Sequence, residues 1–363
     1  MVCFTRYCLE ISLTQKEEAP DLNQTQEDFL HKSARKTWSF FEHFVNEGEN
    51  WLPPDNFQQH PDPVIAHRTS PTNIGLSLLA NLTAYDFGYI TMREMLFRCN
   101  NTLKTLHKME RYKGHFYNWY NTRSLSIMTP AYVSTVDSGN LVGHLLVLRQ
   151  GILAFKSNPI FNAESYNGLH STIGIIQDLL KDENDEIIEN IDSLLVDAIR
   201  EKNNSLSVIK RNLDDLAALS NQIAGFDENQ ETGKWMHKLK NKIENTREDL
   251  YKQIPWLNLL PIPESFTSLS RLDFNHSLLS LREINGELSQ QIDHYKKETS
   301  NEYDAEWLVK VETVLKTGID SIPEKLSLLE ELAEQLEQLS IVEYDFLLDK
   351  HTSHLSIGYN VDE

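Results

Sequence analysis

Cysteine is nearly absent from this chain: three residues in 363, Cys3, Cys8 and Cys99, without the paired spacing of a metal site. An odd count, with one member inside an apolar helical stripe, reads as free thiols in a reducing compartment rather than a disulfide framework. Glycine (14) and proline (12) are scarce as well, which argues against a loop-rich or disordered chain. Bases are short: 34 against 54 acids, a formal net charge of -20. Such a surface repels phosphate backbones and anionic lipid, so neither nucleic acid nor a membrane surface is an expected partner. Long apolar runs are missing too. The stretch 141–155 contains His144, Arg149 and Gln150, so insertion into a membrane is not expected. The start, MVCFTRYCLEISL, is a poor secretion signal because Glu10 breaks its apolar run. A soluble, cytoplasmic chain is the expectation.

What the chain does have is helical patterning. In residues 27–155 four amphipathic helices are predicted. The first starts at Thr25 to Asp28, carries Phe29, Leu30, Ala34, Trp38, Phe41 and Val45, and ends at Gly48. The second opens on Ser70-Pro71, an N-cap serine followed by proline at the first helical position, and closes near Gly88. The third opens on Thr91-x-x-Glu94, a capping box. The fourth starts near Asp137-Ser138 and carries Leu141, Leu145, Leu148 and Ile152. Only Gly88 to Ile90 separate helices two and three, whereas 49–69 and 110–136 are long and rich in aromatics and amides. Antiparallel helices would put both long segments at one end of the layer, and loops of that length in a compact domain are usually functional. From about residue 161 polar-faced helices follow, predicted at 167–182, 184–225, 228–253, 265–298 and 302–340. The run Leu326 to Leu339 is spaced to pack on a partner helix. Beyond it, Leu355 to Tyr359 alternates like a short strand.

Three constellations in the long segments carry possible chemistry. In the first, Trp51 offers a flat apolar face and Asp55, Asn56, Arg68 and Asn73 offer directed acceptors and donors, the combination that binds sugars. The plain alternative is that Trp51 packs beneath the loop and Arg68 pairs with Asp55 structurally. In the second, His115-Phe-Tyr-Asn-Trp-Tyr120, the residues Tyr117, Asn118 and Trp119 form a candidate platform. The alternative is a strand that buries every other ring. In the third, Val136 to His144, Asp137 is a contact candidate or simply a helix cap, and His144 reads as a satisfied core histidine. No metal-ligand spacing, phosphate loop or nucleophile elbow appears, so no cofactor, metal or catalytic residue is assigned. Glycoside chemistry needs two carboxyl groups across the scissile bond, and nothing marks a pair among Asp55, Asp62 and Asp137.

The runs NWLPPDNFQQHPDPVIAHRTSPTNIGLSLL, MERYKGHFYNWYNTRSL and YVSTVDSGNLVGHL closely resemble the central region of bacterial cyclic β-1,2-glucan synthases, over about residues 33–155. The ending EYDFLLDKHTSHLSIGYNVDE resembles a later stretch of that region, while 160–340 matches only in being helical and acidic. The resemblance implies an all-α fold, a partial (α/α)6 toroid, that transglycosylates linear β-1,2-glucan into rings. It implies four parts: an N-terminal segment (1–26), poorly structured; the first helical hairpins with sugar-contacting loops (27–160); an acidic helical region (161–340); and a short β-like end (341–363). The family's two catalytic glutamates are expected downstream of the Gly-Tyr-Asn stretch, which implies a fragment inactive alone. Inner helix faces would then stand uncovered unless the chain self-associates or a separate chain carrying the rest of the synthase completes the ring. The implied partner is β-1,2-glucan, contacted through Trp51, Asp55, Arg68, Asn73, Tyr117, Asn118, Trp119 and Asp137. Two other readings stay open: a helical scaffold acting through 160–340, and a β-1,2-glucanase using Asp55 and Asp137.

Overall fold

The structure is a computed structural model that describes residues 22–181, 185–227 and 229–362. Cys3, Cys8 and most of the predicted N-terminal segment lie outside the described residues. The fold is all-α with little sheet: eleven α-helices and ten short strands among the described residues.

The first four helices form as their end signals dictate. Helix α1 (Gln24–Phe44) starts on a reciprocal capping box between Asn23 and Gln26, just ahead of the predicted Thr25 to Asp28 start. It ends at Phe44 rather than at Gly48, because Asn46 caps a separate turn of 3-10 helix, Glu47–Glu49. Helix α2 (Pro71–Asp86) has Ser70 as N-cap and proline in its first turn. Helix α3 (Met92–Leu106) has Thr91 as N-cap. Helix α4 (Thr135–Ala154) begins earlier than expected. Ser134 is its cap, and the Asp137 N–H donates to Ser134 Oγ (3.2 Å), so Asp137 sits inside the first turn and is not the N-cap. Between α2 and α3, Gly88 adopts φ +69°, and a Cβ there would lie 2.0 Å from the Glu164 carbonyl oxygen. The tight turn thus docks on residues 164 and 165, where a later helix begins, and a side chain would force the two apart.

Helices α5 (Glu164–Leu180), α6 (Glu186–Glu201), α7 (Leu206–Ser220) and α8 (Glu231–Gln253) follow, packed successively, with α5 also against α1 and α8. The predicted helix 184–225 is two helices. Lys202 turns left-handed (φ 44°) and Ser205 caps α7, a break that Asn203-Asn204-Ser205 could have signalled. The predicted helix 265–298 divides as well, into a 3-10 stretch Glu264–Asp273 and α9 (Leu278–Glu298), capped by Ser277. Helices α10 (Glu302–Asp320) and α11 (Ile322–Ser340) are separated at Ser321, with Pro323 in the first turn of α11.

Helix α11 packs along α4, which also packs against α2. The leucine run of α11 therefore finds its partner helix inside the chain: Leu326, Leu329, Leu332, Leu336 and Leu339 are all buried. Much of the apolar surface of α4 is covered this way, although Leu76 on α2 and Val136, Leu146 and Val147 on α4 stay exposed. His144 does not read as a satisfied core residue. It is half-buried against Gly75, its Nδ1 has no hydrogen-bond partner among the described residues, and burial holds its pKa down. Cys99 is a buried free thiol whose pKa burial pushes up to about 12, which leaves it inert.

The strands are two or three residues long. They are β1 (Phe57–Gln58), β2 (Val64–Ile65), β3 (Arg68–Thr69), β4 (Arg111–Tyr112), β5 (His115–Phe116), β6 (Tyr120–Asn121), β7 (Tyr132–Ser134), β8 (Leu348–Asp349), β9 (His354–Leu355) and β10 (Gly358–Asn360). Two antiparallel pairings matter for the site. Strand β3 joins β6, with Arg68 opposite Asn121, and β10 joins β7, with Asn360 opposite Tyr132. The predicted strand 355–359 is interrupted at Ser356-Ile357, and only its last residues enter β10.

Candidate functional site

The two long segments meet. Besides the β3–β6 pairing, the Asn50 side-chain amide donates to the carbonyls of Thr122 (2.8 Å) and Arg123 (2.9 Å). Asn50 and Trp51 both take left-handed backbone (φ 52° and 59°), which costs a non-glycine residue about 1–3 kcal/mol. Their carbonyls are held in place from α3: Thr105 Oγ1 donates to Asn50 O (2.7 Å) and Thr102 Oγ1 to Trp51 O (2.9 Å). Strain of this kind persists only where surrounding bonds over-determine it.

Beneath the junction lies a carboxylate that the sequence reading missed. Glu49 is nearly buried (7% exposed) and accepts from His67 Nδ1 (3.0 Å), Arg123 Nε (3.0 Å) and Thr122 Oγ1. Burial works to raise its pKa, but the hydrogen bonds from Thr122, His67 and Arg123 outweigh it and hold the pKa below the ordinary glutamate value. Glu49 adjoins the Asn50-Trp51 motif, so it was near the signal. What one sequence could not supply was the pairing with Thr122 and Arg123, more than seventy positions away.

Above the junction the predicted residues form a connected chain of contacts. Asp55 (19% exposed) accepts from Arg68 through Nε (3.1 Å) and Nη2 (2.9 Å), from Asn56 Nδ2 (3.1 Å) and from Asn73 Nδ2 (3.3 Å). Arg68 (47% exposed) lies over the Trp119 ring, its Cζ 4.9 Å from the centroid. The Asn118 amide, turned with its nitrogen toward α4, donates to Asp137 Oδ2 (3.2 Å), and its oxygen accepts from Trp119 Nε1 (3.1 Å). The Asn118 N–H in turn donates to Tyr132 O (2.7 Å), tying the loop to β7. Asp55, Arg68, Asn73, Trp119, Asn118 and Asp137 thus form one cluster, half-buried to exposed, drawn from both loops and from the first turns of α2 and α4.

Two predicted residues stand apart. Trp51 packs edge-on against Phe97 of α3 (5.2 Å), with Arg98 above its ring. Tyr117 is buried, its ring edge-on to Tyr120, and its N–H donates to Tyr120 Oη (2.7 Å). The segment 115–120 is not a continuous strand: residues 117–119 lie between β5 and β6, which is why Asn118 and Trp119 turn toward Asp137 and Arg68. Among the described residues no group of three or more His, Cys, Asp or Glu side chains is arranged to hold a metal ion. No helix among them is long and apolar enough to cross a membrane.

No family model matches the chain. It is 40% identical over 185 residues to the cyclic beta-(1,2)-glucan synthase NdvB of Rhizobium meliloti (strain 1021). The match takes in 50% of this chain and 6% of that protein, so the chain spans a small part of the relative's length. Among solved structures, a protein of Bacteroides caccae named as a candidate glucoamylase overlays 43% of this chain and 39% of its own, at 20% identity and a TM-score of 0.30. A similarly named protein of Bacteroides fragilis overlays 52% and 37%, at 15% identity and a TM-score of 0.26. Overlays this partial carry no weight for fold or function. Half of the chain is thus plainly similar to a region of a cyclic β-1,2-glucan synthase.

Proposed function

We propose that the cluster of Asp55, Arg68, Asn73, Asn118, Trp119 and Asp137 is a β-1,2-glucan contact surface, and that the chain represents part of a synthase region that rearranges linear β-1,2-glucan into rings. The observation that carries this is the Arg68–Trp119 stack, fixed from below by Asp55 and from the side by Asn118. Sugars are bound by a flat ring covering C–H faces beside polar groups of fixed direction, and this cluster sets the half-buried Trp119 ring, with Arg68 over one face, beside such groups. The similarity to the synthase supports the substrate class. The partial toroid belongs to the same proposal, with helical hairpins presenting their long loops at one mouth.

The cluster binds but has no evident means of catalysis. Asp55 is held by Arg68, Asn56 and Asn73, which makes it a positioning group for Arg68 rather than a free nucleophile. That disfavours the glucanase reading, which needs Asp55 and Asp137 as a working pair. The scaffold reading, in which the acidic helices of 160–340 engage a partner, cannot draw on the leucine run of α11, because that run packs on α4. Calorimetric titration with linear β-1,2-glucan, with linear β-1,3-glucan as control, should show selective binding. Incubation with the β-1,2-glucan should yield neither rings nor shorter chains. Equal binding of both glucans would remove the proposed function. Ring formation would remove the claim that the chain is inactive alone.

A further inference from the structure

Away from this cluster, helices α3, α8, α9 and α11 enclose a recess of about 380 Å³, a volume within the range of small-molecule sites. Its walls are apolar: Leu96 and Phe97 come from α3, Leu278 from α9, and Leu328 and Leu332 from α11. Phe97 and Leu328 remain 56% and 43% exposed, so the recess opens to solvent along an apolar lip.

Its charged lining is mostly positive. Arg93, Lys252 and Lys325 face it against a single carboxylate, Asp249, in a chain whose formal net charge is -20. Asp249 is already engaged by Arg93 Nε (2.9 Å) and Gln253 Nε2 (3.1 Å). Lys252 pairs with Glu248 at the surface (2.9 Å). Lys325 is half-buried, and among the described residues its ammonium makes no hydrogen bond or ion pair; burial pulls its pKa down, with Asp249 opposing. An ammonium left unpaired beside apolar walls is costly, and an incoming anion would relieve that cost.

We propose that this recess is a binding site for an aliphatic carboxylate, its tail along Phe97 and Leu328 and its carboxylate on Lys325 and Arg93. The charge pattern selects the occupant. A neutral tail would leave Lys325 unpaired, and a cationic one would meet three positive groups. A single chain entering a recess between four helices fits better than a bilayer, whose anionic surface the net charge repels.

The test is calorimetric titration of the intact chain with sodium dodecanoate below its micelle concentration. Dodecyltrimethylammonium chloride serves as the control with the same tail and opposite charge, and phosphatidylglycerol vesicles test the membrane source. Saturable 1:1 binding of dodecanoate is expected, at least tenfold weaker for Lys325→Gln and for Phe97→Glu, both partly exposed positions where folding should survive. Thermal melts of each variant verify that. Equal affinity for the cationic amphiphile, binding confined to vesicles, or folded variants with unchanged affinity would each overturn the proposal.

Discussion

The stretch from α1 to α4 and the stretch from α5 to α11 are built from the same kind of helix but use their polar residues differently. In the first, carboxylates are drawn inward and shared between distant loops: Glu49 joins residues 67, 122 and 123, and Asp55 gathers Arg68 and Asn73. In the second, ion pairs lie mostly at the surface, within a helix or between neighbouring elements, as in Lys210–Asp214 or Arg271–Glu287. Holding a half-buried charge in place costs free energy that a surface pair does not, so its geometry has to be specified by neighbours. The difference teaches where specificity has been built: the first stretch fixes side-chain direction, whereas the second supplies packing.

The largest effects should come from that packing. Leu336→Ala on α11 and Leu145→Ala on α4, both fully buried, should each cost about 2–5 kcal/mol in denaturant unfolding. Each should shift one shared transition. A separate early transition in Leu336→Ala alone would show that the two stretches unfold independently.

Next in size is the clasp under the loops. Glu49→Gln should cost about 1.5–3 kcal/mol, the range for hydrogen bonds to a charged group. The sign of its pH dependence follows from the lowered pKa of Glu49. The contribution is present above the ordinary glutamate pKa and lost as pH falls through the lower folded value, so the gap between wild type and Glu49→Gln should shrink in acid. In the second stretch His170 has the opposite sense. Its hydrogen bond to Asp192 (2.7 Å) raises its pKa against burial, so its contribution is full below the ordinary histidine value and lost as pH rises through the folded one. A Glu49→Gln gap that widened in acid would remove the clasp from the account.

A smaller effect, but one confined to the site, is expected from Arg68→Ala. Affinity for linear β-1,2-glucan should fall about tenfold, roughly 1.4 kcal/mol, with little change in melting temperature. Smallest of all is Arg271→Ala in the second stretch. Its surface pair with Glu287 should contribute under about 1 kcal/mol and leave glucan affinity untouched. If Arg271→Ala weakened binding as much as Arg68→Ala, the division between a directing stretch and a packing stretch would fail.

Local signals carried most of what the sequence disclosed. Ser70-Pro71 and Thr91 set helix starts because a cap acts within one turn, and the leucine spacing of 326–339 showed a packing face without showing its partner. The break at Lys202 was legible in Asn203-Asn204-Ser205, whereas the one at Phe274 was hidden because apolar periodicity resumes on either side. The partners of Glu49, and the separation of Trp51 from the Trp119 cluster, depend on contacts between residues far apart in the chain. Residue type alone made Trp51 and Trp119 look equivalent; the left-handed backbone at Asn50-Trp51 turns one toward α3, while Arg68 covers the other.

The most direct test is a paired titration of wild type and Trp119→Ala with linear β-1,2-glucan, with far-UV circular dichroism to show that both are folded. A loss of affinity of at least tenfold in the folded variant is the predicted result. Unchanged affinity would place the glucan elsewhere on the molecule and contradict the account.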